Sequence, residues 1–152
     1  MIKKILVAYD DGSQAKKALE AAIEIAQSTG AEIFVASAYT IPIVYQGSIA
    51  SDGMFPDNTV IINYLYENTR SHLENILIEA AARVSQANIP VYTEILEGSP
   101  GKVITQFAES KSIDLIAVGS QNRTAVNRLF MGSVSNYVLH HAKCLVLVAK
   151  DV

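Results

Sequence analysis

Five short apolar runs separated by helical patterns constrain the fold of this chain more than any other sequence feature. In the first run the apolar residues are continuous rather than alternating, which is typical of a strand buried on both faces of a sheet. The runs are Ile5–Tyr9, Ile33–Ala38, Val91–Leu96, Leu115–Val118 and Cys144–Ala149. Parallel strands need long crossovers, and the helical patterns supply them. The sequence therefore predicts an α/β fold: an open five-stranded parallel sheet with helices on both faces.

The segments between the runs carry apolar residues at three- and four-residue spacing, the period of an amphipathic helix. One pattern covers Ser13 to Ser28 and stops at Gly30. A longer pattern runs from Val60 to near Asn88. Two further helices are predicted, one capped by Ser99 and one carrying the apolar residues of 134–141.

A long irregular segment, Tyr39 to Asn58, follows the second apolar run and contains two prolines and two glycines. Loops of this length in compact domains are usually functional. A tolerated surface insertion explains the segment equally well, so both interpretations stay open.

Composition limits the function classes. The 152 residues predict a single domain, 1–152. Half of the residues are hydrophobic, 18% are charged and the net charge is −3, so disorder and nucleic-acid binding are both disfavoured. The single cysteine, Cys144, cannot form an internal disulfide, which favours a cytoplasmic location. No run reaches the ~20 apolar residues that a membrane span needs, so we expect no membrane insertion.

Ligands of open parallel sheets bind beyond the carboxyl ends of the strands. Asp10 closes the first strand there, and its carboxylate can accept hydrogen bonds from a ribose hydroxyl or a base amino group. The neighbouring Asp11 is interpreted as a cap of the next helix. Asp114 precedes its strand, so we expect it at the opposite edge as a turn residue.

The strongest local signal for a ligand is the polar segment after the fourth strand. Gly119-Ser120-Gln121-Asn122-Arg123 is followed by Met131-Gly132-Ser133-Val134 at a predicted helix start. Backbone N–H groups and the positive end of a helix dipole attract phosphate there. Ser133 is either a phosphate contact or a helix cap, and Arg123 is either a phosphate ligand or a solvated surface residue.

The sequence offers little evidence for catalysis or metal binding. It contains no P-loop, no GxGxxG after a strand and no zinc-type spacing. His140 and His141 are adjacent, so their side chains diverge on a helix and joint metal binding is disfavoured. We expect no catalytic residue and no metal site.

Three segments resemble the universal stress protein family, and the resemblance runs from Lys4 to Lys150. They are Ile5-Leu6-Val7-Ala8-Tyr9-Asp10, Gly98-Ser99-Pro100 and Asp114-Leu115-Ile116-Ala117-Val118-Gly119. The resemblance implies a Rossmann-like sheet of the adenine nucleotide alpha hydrolase type, with strand order 3-2-1-4-5.

Nucleotide-binding members of that family carry a glycine motif on which Gly119, Gly132 and Ser133 fall, whereas Asn122 stands at its second glycine. Asparagine tolerates the left-handed backbone of such a turn, but its side chain would lie near the phosphate path. The resemblance implies an adenine-nucleotide site formed by Tyr9, Asp10, Ala38, Val118, Gly119, Asn122, Arg123, Gly132, Ser133 and Val134.

The resemblance implies a homodimeric, ATP-binding regulatory protein of the stress response, with or without Mg²⁺ and with an unidentified protein partner. Dimerisation would use the last strand, through Val146, Leu147 and Val148. Two alternatives remain. One is a slow ATP hydrolase or an autophosphorylating enzyme with Ser133 or Ser135 as acceptor. The other is a dimeric scaffold whose nucleotide site is closed by Asn122.

Overall fold

The computed structural model describes residues 1–40, 58–120 and 132–150. Strands and helices alternate along them, as the apolar runs predict. The strands are β1 (Lys4–Ala8), β2 (Glu32–Tyr39), β3 (Val91–Glu97), β4 (Leu115–Gly119) and β5 (Leu145–Ala149). The helices are α1 (Ser13–Thr29), α2 (Asn58–Gln86), α3 (Pro100–Ser110) and α4 (Ser133–His141). Most of the predicted irregular segment between Tyr39 and Asn58 lies outside the described residues.

The five strands form one parallel sheet in the order β3-β2-β1-β4-β5, which confirms the predicted fold and strand order. In the central strand, Val7 pairs with Val35 on one side and with Ala117 on the other. Chain order reverses beside β1, since the chain passes from β1 to β2 on one side and from β3 to β4 across it. A crevice is expected at this point, above the carboxyl ends of β1 and β4.

Helices cover both faces of the sheet. Neighbouring residues of a strand point to opposite faces, so one strand contributes side chains to two apolar clusters. Ile5, Val7 and Ile33 pack with α1 and α2 in one apolar cluster. Leu6 and Ile116 pack with α3 and α4 in a second cluster. The apolar runs of β1 and β4 therefore reflect strands that are buried on both sides, whereas the edge strands β3 and β5 are more exposed. None of the described helices combines the length and apolarity needed to cross a bilayer.

Two predicted helix caps are wrong by one residue. Gly12, not Asp11, is the N-cap of α1, because Gly12 is extended whereas Asp11 has a left-handed φ of 60°. Gly132 is the extended N-cap of α4, and Ser133 is its first helical residue. Ser99 does occupy the N-cap of α3, followed by Pro100 as predicted, although no side-chain cap hydrogen bond forms.

Asp114 lies at the amino end of the sheet, as expected, and binds the start of β1. Its Oδ2 accepts hydrogen bonds from the backbone N–H groups of Lys3 at 2.9 Å and Lys4 at 3.0 Å. These bonds, that of Lys3 above all, lower the pKa of Asp114 below its ordinary value of 3.8. The carboxylate therefore joins β1 to the segment that enters β4.

Candidate functional site

A crevice of about 330 Å³ opens at the carboxyl end of the sheet. Its walls come from the ends of β1, β2 and β4 and from the first turns of α1, α3 and α4. This is the switch point at which parallel sheets place their ligands. Since such pockets are the usual ligand sites of proteins, the crevice is the candidate functional site.

Small side chains form the floor of the crevice. Ala8 of β1 and Ala36 and Ala38 of β2 line it, and Pro100 and Ile104 of α3 stand against it. Ala36 and Ile104 are buried in the second apolar cluster. Because methyl groups leave space above the strands, this part of the crevice is an apolar slot.

Asp10 provides a carboxylate at the rim of the crevice. Its Oδ1 accepts a hydrogen bond of 2.9 Å from the backbone N–H of Gly12, which orients the carboxylate. A Cβ atom on residue 12 would lie 3.0 Å from that oxygen, so glycine suits this turn. Asp10 is the one carboxylate among the described residues that line the crevice.

Tyr9 borders the crevice, but its ring packs in the apolar cluster beside α1 and α2. Burial, followed by the charges of Asp11, Glu79 and Asp10, raises the pKa of its phenol. Its carbonyl accepts a 2.6 Å hydrogen bond from Ser37 Oγ. Tyr9 therefore stabilises the end of β1 beside Asp10.

Another end of the crevice lies between the N-terminal turns of α1 and α4. Gly119 ends β4 directly against α1: a Cβ there would lie 2.9 Å from Gln14 Cβ and 3.2 Å from Ala15 N. Only a glycine permits this close approach. Gly132 also lines this end, and its N–H donates to the carbonyl of Ser120 at 2.5 Å.

Backbone N–H groups concentrate at this end. In α4 the first intrahelical bond of the described residues runs from Asn136 N–H to Gly132 O, so Val134 and Ser135 belong to the turn before it. In α1 the corresponding bond runs from Lys16 N–H to Gly12 O. First-turn N–H groups lack a carbonyl partner within their helix, and the helix dipole adds positive potential. We call this part, lined by Gln14, Gly119 and Gly132, the anion end.

The crevice brings together most of the predicted site residues. Seven of them line it: Tyr9, Asp10, Ala38, Val118, Gly119, Gly132 and Val134. Ser133 does not line it, because this exposed first residue of α4 points to another side of the helix than Val134. Asn122 and Arg123 lie outside the described residues.

Sequence reasoning missed several lining residues that helices contribute, among them Ser13, Gln14 and Ile104. Each lies on a helix whose pattern indicates only that one side is buried. Pro100 was recognised as a helix start, but nothing in its local sequence connects it with the crevice. The alternation of alanines at 36 and 38, on one side of β2, is the signal that could have identified the floor.

The other candidate reactive side chains have local partners. His140 Nδ1 and His141 Nδ1 lie 2.8 and 2.9 Å from the carbonyl oxygens one turn earlier in α4. Burial raises the pKa of the Cys144 thiol, which disfavours the reactive thiolate. Within 1–40, 58–120 and 132–150, no three His, Cys, Asp or Glu side chains form a group that could hold a metal ion.

Comparisons with known sequences agree with this architecture. The chain is 30% identical to universal stress protein MJ0531 of Methanocaldococcus jannaschii over 150 residues, covering 99% of this chain and 83% of the relative. It is 31% identical to a universal stress protein of Thermus aquaticus over 151 residues, covering 99% and 100% of the two chains.

Solved structures share the fold. Universal stress protein UspA from Lactobacillus plantarum superposes with a TM-score of 0.82 at 24% identity, covering 97% of both chains. A universal stress protein in complex with cAMP superposes with a TM-score of 0.65 at 21% identity, covering 97% of this chain and 95% of the other. A universal stress protein from Archaeoglobus fulgidus in complex with dAMP superposes with a TM-score of 0.62 at 18% identity, covering 99% of this chain and 98% of the other.

The sequence model of the universal stress protein family matches residues 1–150, nearly the whole chain. This match, the two relatives and the strand order agree with one another. The chain belongs to the universal stress protein family.

Proposed function

We propose that this protein is an adenine-nucleotide-binding regulatory module, with ATP as its ligand. The observation that carries the proposal is the layout of the crevice, where an apolar slot, an oriented carboxylate and two helix N-termini lie in one cavity. A nucleotide has three parts that match these features: a flat base, a ribose diol and an anionic phosphate group. Fold alone would not support the proposal, because one fold serves many functions.

The base and the ribose account for the side of the crevice formed by β1 and β2. An adenine ring fits above Ala36 and Ala38, whose methyl groups leave room for it. The Asp10 carboxylate, held by Gly12, accepts hydrogen bonds from ribose hydroxyls. Hydrogen bonds to a charged acceptor are the stronger kind, so Asp10 contributes affinity as well as orientation.

The phosphates account for the anion end. The first turns of α1 and α4 present backbone N–H groups and positive dipole ends, which favour phosphate. A Mg²⁺ ion bound with ATP would be held mainly by phosphate oxygens and water, since the one carboxylate of the described lining, Asp10, is assigned to the ribose. The ligands of two structural neighbours, cAMP and dAMP, support an adenine compound here.

Binding is a better proposal than hydrolysis or autophosphorylation. Ser135, one possible acceptor, is only 1% exposed, and its Oγ donates to the carbonyls of Gly132 and Ser120. Ser133 is exposed but lies outside the lining. Asp10 is the one carboxylate of the described lining, and because it is assigned to the ribose it does not serve as a general base.

The scaffold alternative depends on Asn122. An Asn122→Gly variant that gains ATP affinity over the native chain would favour that alternative.

We further propose that the protein acts as a cytoplasmic homodimer that pairs through β5. Among the described strands, β5 pairs with β4 on one side only, so Val146, Leu147 and Val148 present an unpaired backbone edge. Leu145 at its start is 60% exposed. Sedimentation velocity should give a dimer that Leu145→Glu weakens, whereas Ile78→Glu, at a similarly exposed residue of α2, leaves it intact. A monomeric native chain would overturn this part.

The proposed function is tested by calorimetric titration with ATP, adenosine and GTP. We expect ATP to bind more tightly than adenosine, and GTP to bind weakly. Ala38→Leu fills the slot, so it should lower the affinity for both ATP and adenosine by more than about tenfold, corresponding to about 1.4 kcal/mol of binding free energy. Ala82→Leu, the same change on an exposed position of α2, is the control. No heat of binding with any adenine compound would contradict the proposal.

A further inference from the structure

A buried polar pair lies at the anion end and is not used by the proposed contacts with the nucleotide. Gln14 belongs to the first turn of α1, and Ser120 follows β4 directly. Ser120 Oγ donates a 2.9 Å hydrogen bond to Gln14 Oε1. The two residues are 6% and 7% exposed, so a loss of this bond would leave buried polar groups with poorer partners.

Ser120 links three elements around the crevice. Its side chain bonds α1 through Gln14, and its N–H donates to Ala149 O of β5 at 2.8 Å. Its carbonyl accepts from Gly132 N–H at 2.5 Å and from Ser135 Oγ at 3.3 Å, at the start of α4. The two helix turns that form the anion end are therefore connected through one residue.

We propose that Gln14 and Ser120 are a positioning pair that sets the separation of the first turns of α1 and α4, and thereby the affinity for the phosphate part of the ligand. This inference rests on the proposed function. Hydrogen bonds from helix N–H groups weaken steeply with distance and misalignment. A phosphate that bonds to both turns therefore depends on their separation.

The backbone beside the pair leaves no room for a side chain on residue 119. Gly119 approaches α1 so closely that a Cβ would lie 2.9 Å from Gln14 Cβ. Packing alone resists movement of β4 toward α1, while the hydrogen bond resists movement away. The slot at Ala38 of β2 is not part of this bond, and Asp10 is held to α1 by its own bond to Gly12, which the pair does not share. Loss of the pair should therefore affect phosphate binding and spare adenosine.

The test compares ATP and adenosine binding to Ser120→Ala, Gln14→Leu and the double variant. We expect each single change to lower the affinity for ATP about tenfold, which corresponds to the loss of one buried hydrogen bond. The affinity for adenosine should fall less than about twofold. The double variant should be no weaker than either single one, because both remove the same interaction. If Ser120→Ala fails to fold, Gln14→Leu still tests the pair.

Thr105→Val is the matched control. Thr105 is a buried residue of α3 whose Oγ1 donates to the carbonyls of Gly101 and Lys102 within its own helix. Its loss removes a buried hydroxyl without altering the link between α1 and α4. We expect ATP and adenosine affinities within about twofold of the native chain.

Hydrogen exchange of the Gly132 amide gives a readout that needs no ligand. This N–H bonds to Ser120 O, so it should exchange faster in Ser120→Ala and Gln14→Leu but not in Thr105→Val. If the native chain binds no nucleotide, the proposed function fails while this exchange still decides whether the pair positions α4. Equal losses of ATP and adenosine affinity, or unchanged exchange at Gly132, overturn the inference.

Discussion

The two ends of the sheet use the same side chain for different purposes. At the amino end, Asp114 accepts two backbone hydrogen bonds from Lys3 and Lys4 and joins the start of β1 to the entry of β4. At the carboxyl end, Asp10 accepts one bond from Gly12 and remains at the rim of a cavity. The difference shows that the position of an aspartate on the sheet decides whether backbone N–H groups use its carboxylate to join two strands or leave it at the rim of a cavity.

Replacement of Asp10 should have the largest effect on binding. In Asp10→Ala the ribose loses a charged acceptor, worth about 2 kcal/mol, so ATP affinity should fall about thirtyfold. The free energy of unfolding should change little, since one exposed bond to Gly12 is lost. Isothermal titration and urea unfolding measure the two quantities.

A matched control for Asp10 is Glu24→Ala, which removes an exposed carboxylate from α1 away from the crevice. Its ATP affinity should equal that of the native chain. If Asp10→Ala binds ATP as tightly as this control, the assignment of Asp10 to the ribose is wrong.

Replacement of Asp114 should produce the reverse pattern. Asp114→Ala leaves two backbone N–H groups without their carboxylate, so the free energy of unfolding should fall by about 1 to 2 kcal/mol. ATP affinity should be retained at temperatures where the variant is folded. Urea unfolding, compared with Glu109→Ala at an exposed ion pair with Lys143, checks the prediction. Equal unfolding free energies for these two variants would contradict it.

The smallest expected effect is on acid stability. The pKa of Asp114 is lowered below 3.8 in the folded chain, chiefly by the N–H of Lys3, so the unfolded state binds the proton more readily. The ionised Asp114 therefore adds to the free energy of unfolding above about pH 4, and this stabilisation is lost as the pH falls through the pKa of the folded state. The free energy of unfolding of Asp114→Asn should therefore fall less steeply than that of the native chain between about pH 5 and pH 2. If the free energies of unfolding of Asp114→Asn and the native chain differ by the same amount at every pH in this range, the lowered pKa is contradicted.

Much of the fold could be predicted from local pattern, because strands buried on both faces and amphipathic helices have distinct signals. The strands at 5–9 and 115–118 were placed within one residue of β1 and β4. The wrong caps have a physical reason. Gly12 and Gly132 adopt the extended cap conformation without a side-chain bond, whereas the prediction relied on the polar side chains beside them.

The candidate site was only partly predictable. Asp10, Gly119 and Gly132 follow from strand ends and a glycine motif, which are local features of the sequence. Gln14 and Ser120 meet across 106 positions of sequence, and their contact exists only because Gly119 lets β4 approach α1. Such contacts depend on tertiary packing, so no local pattern of residues reports them.

The most direct test of the central claim is an NMR titration of the folded chain with ATP, following every assigned backbone amide. The account predicts shifts concentrated at the carboxyl end, at Gly12, Gly119 and Gly132, with none around Lys3, Lys4 and Asp114. Shifts confined to the amino end, or no shifts at saturating ATP, would contradict the claim that this crevice binds nucleotide.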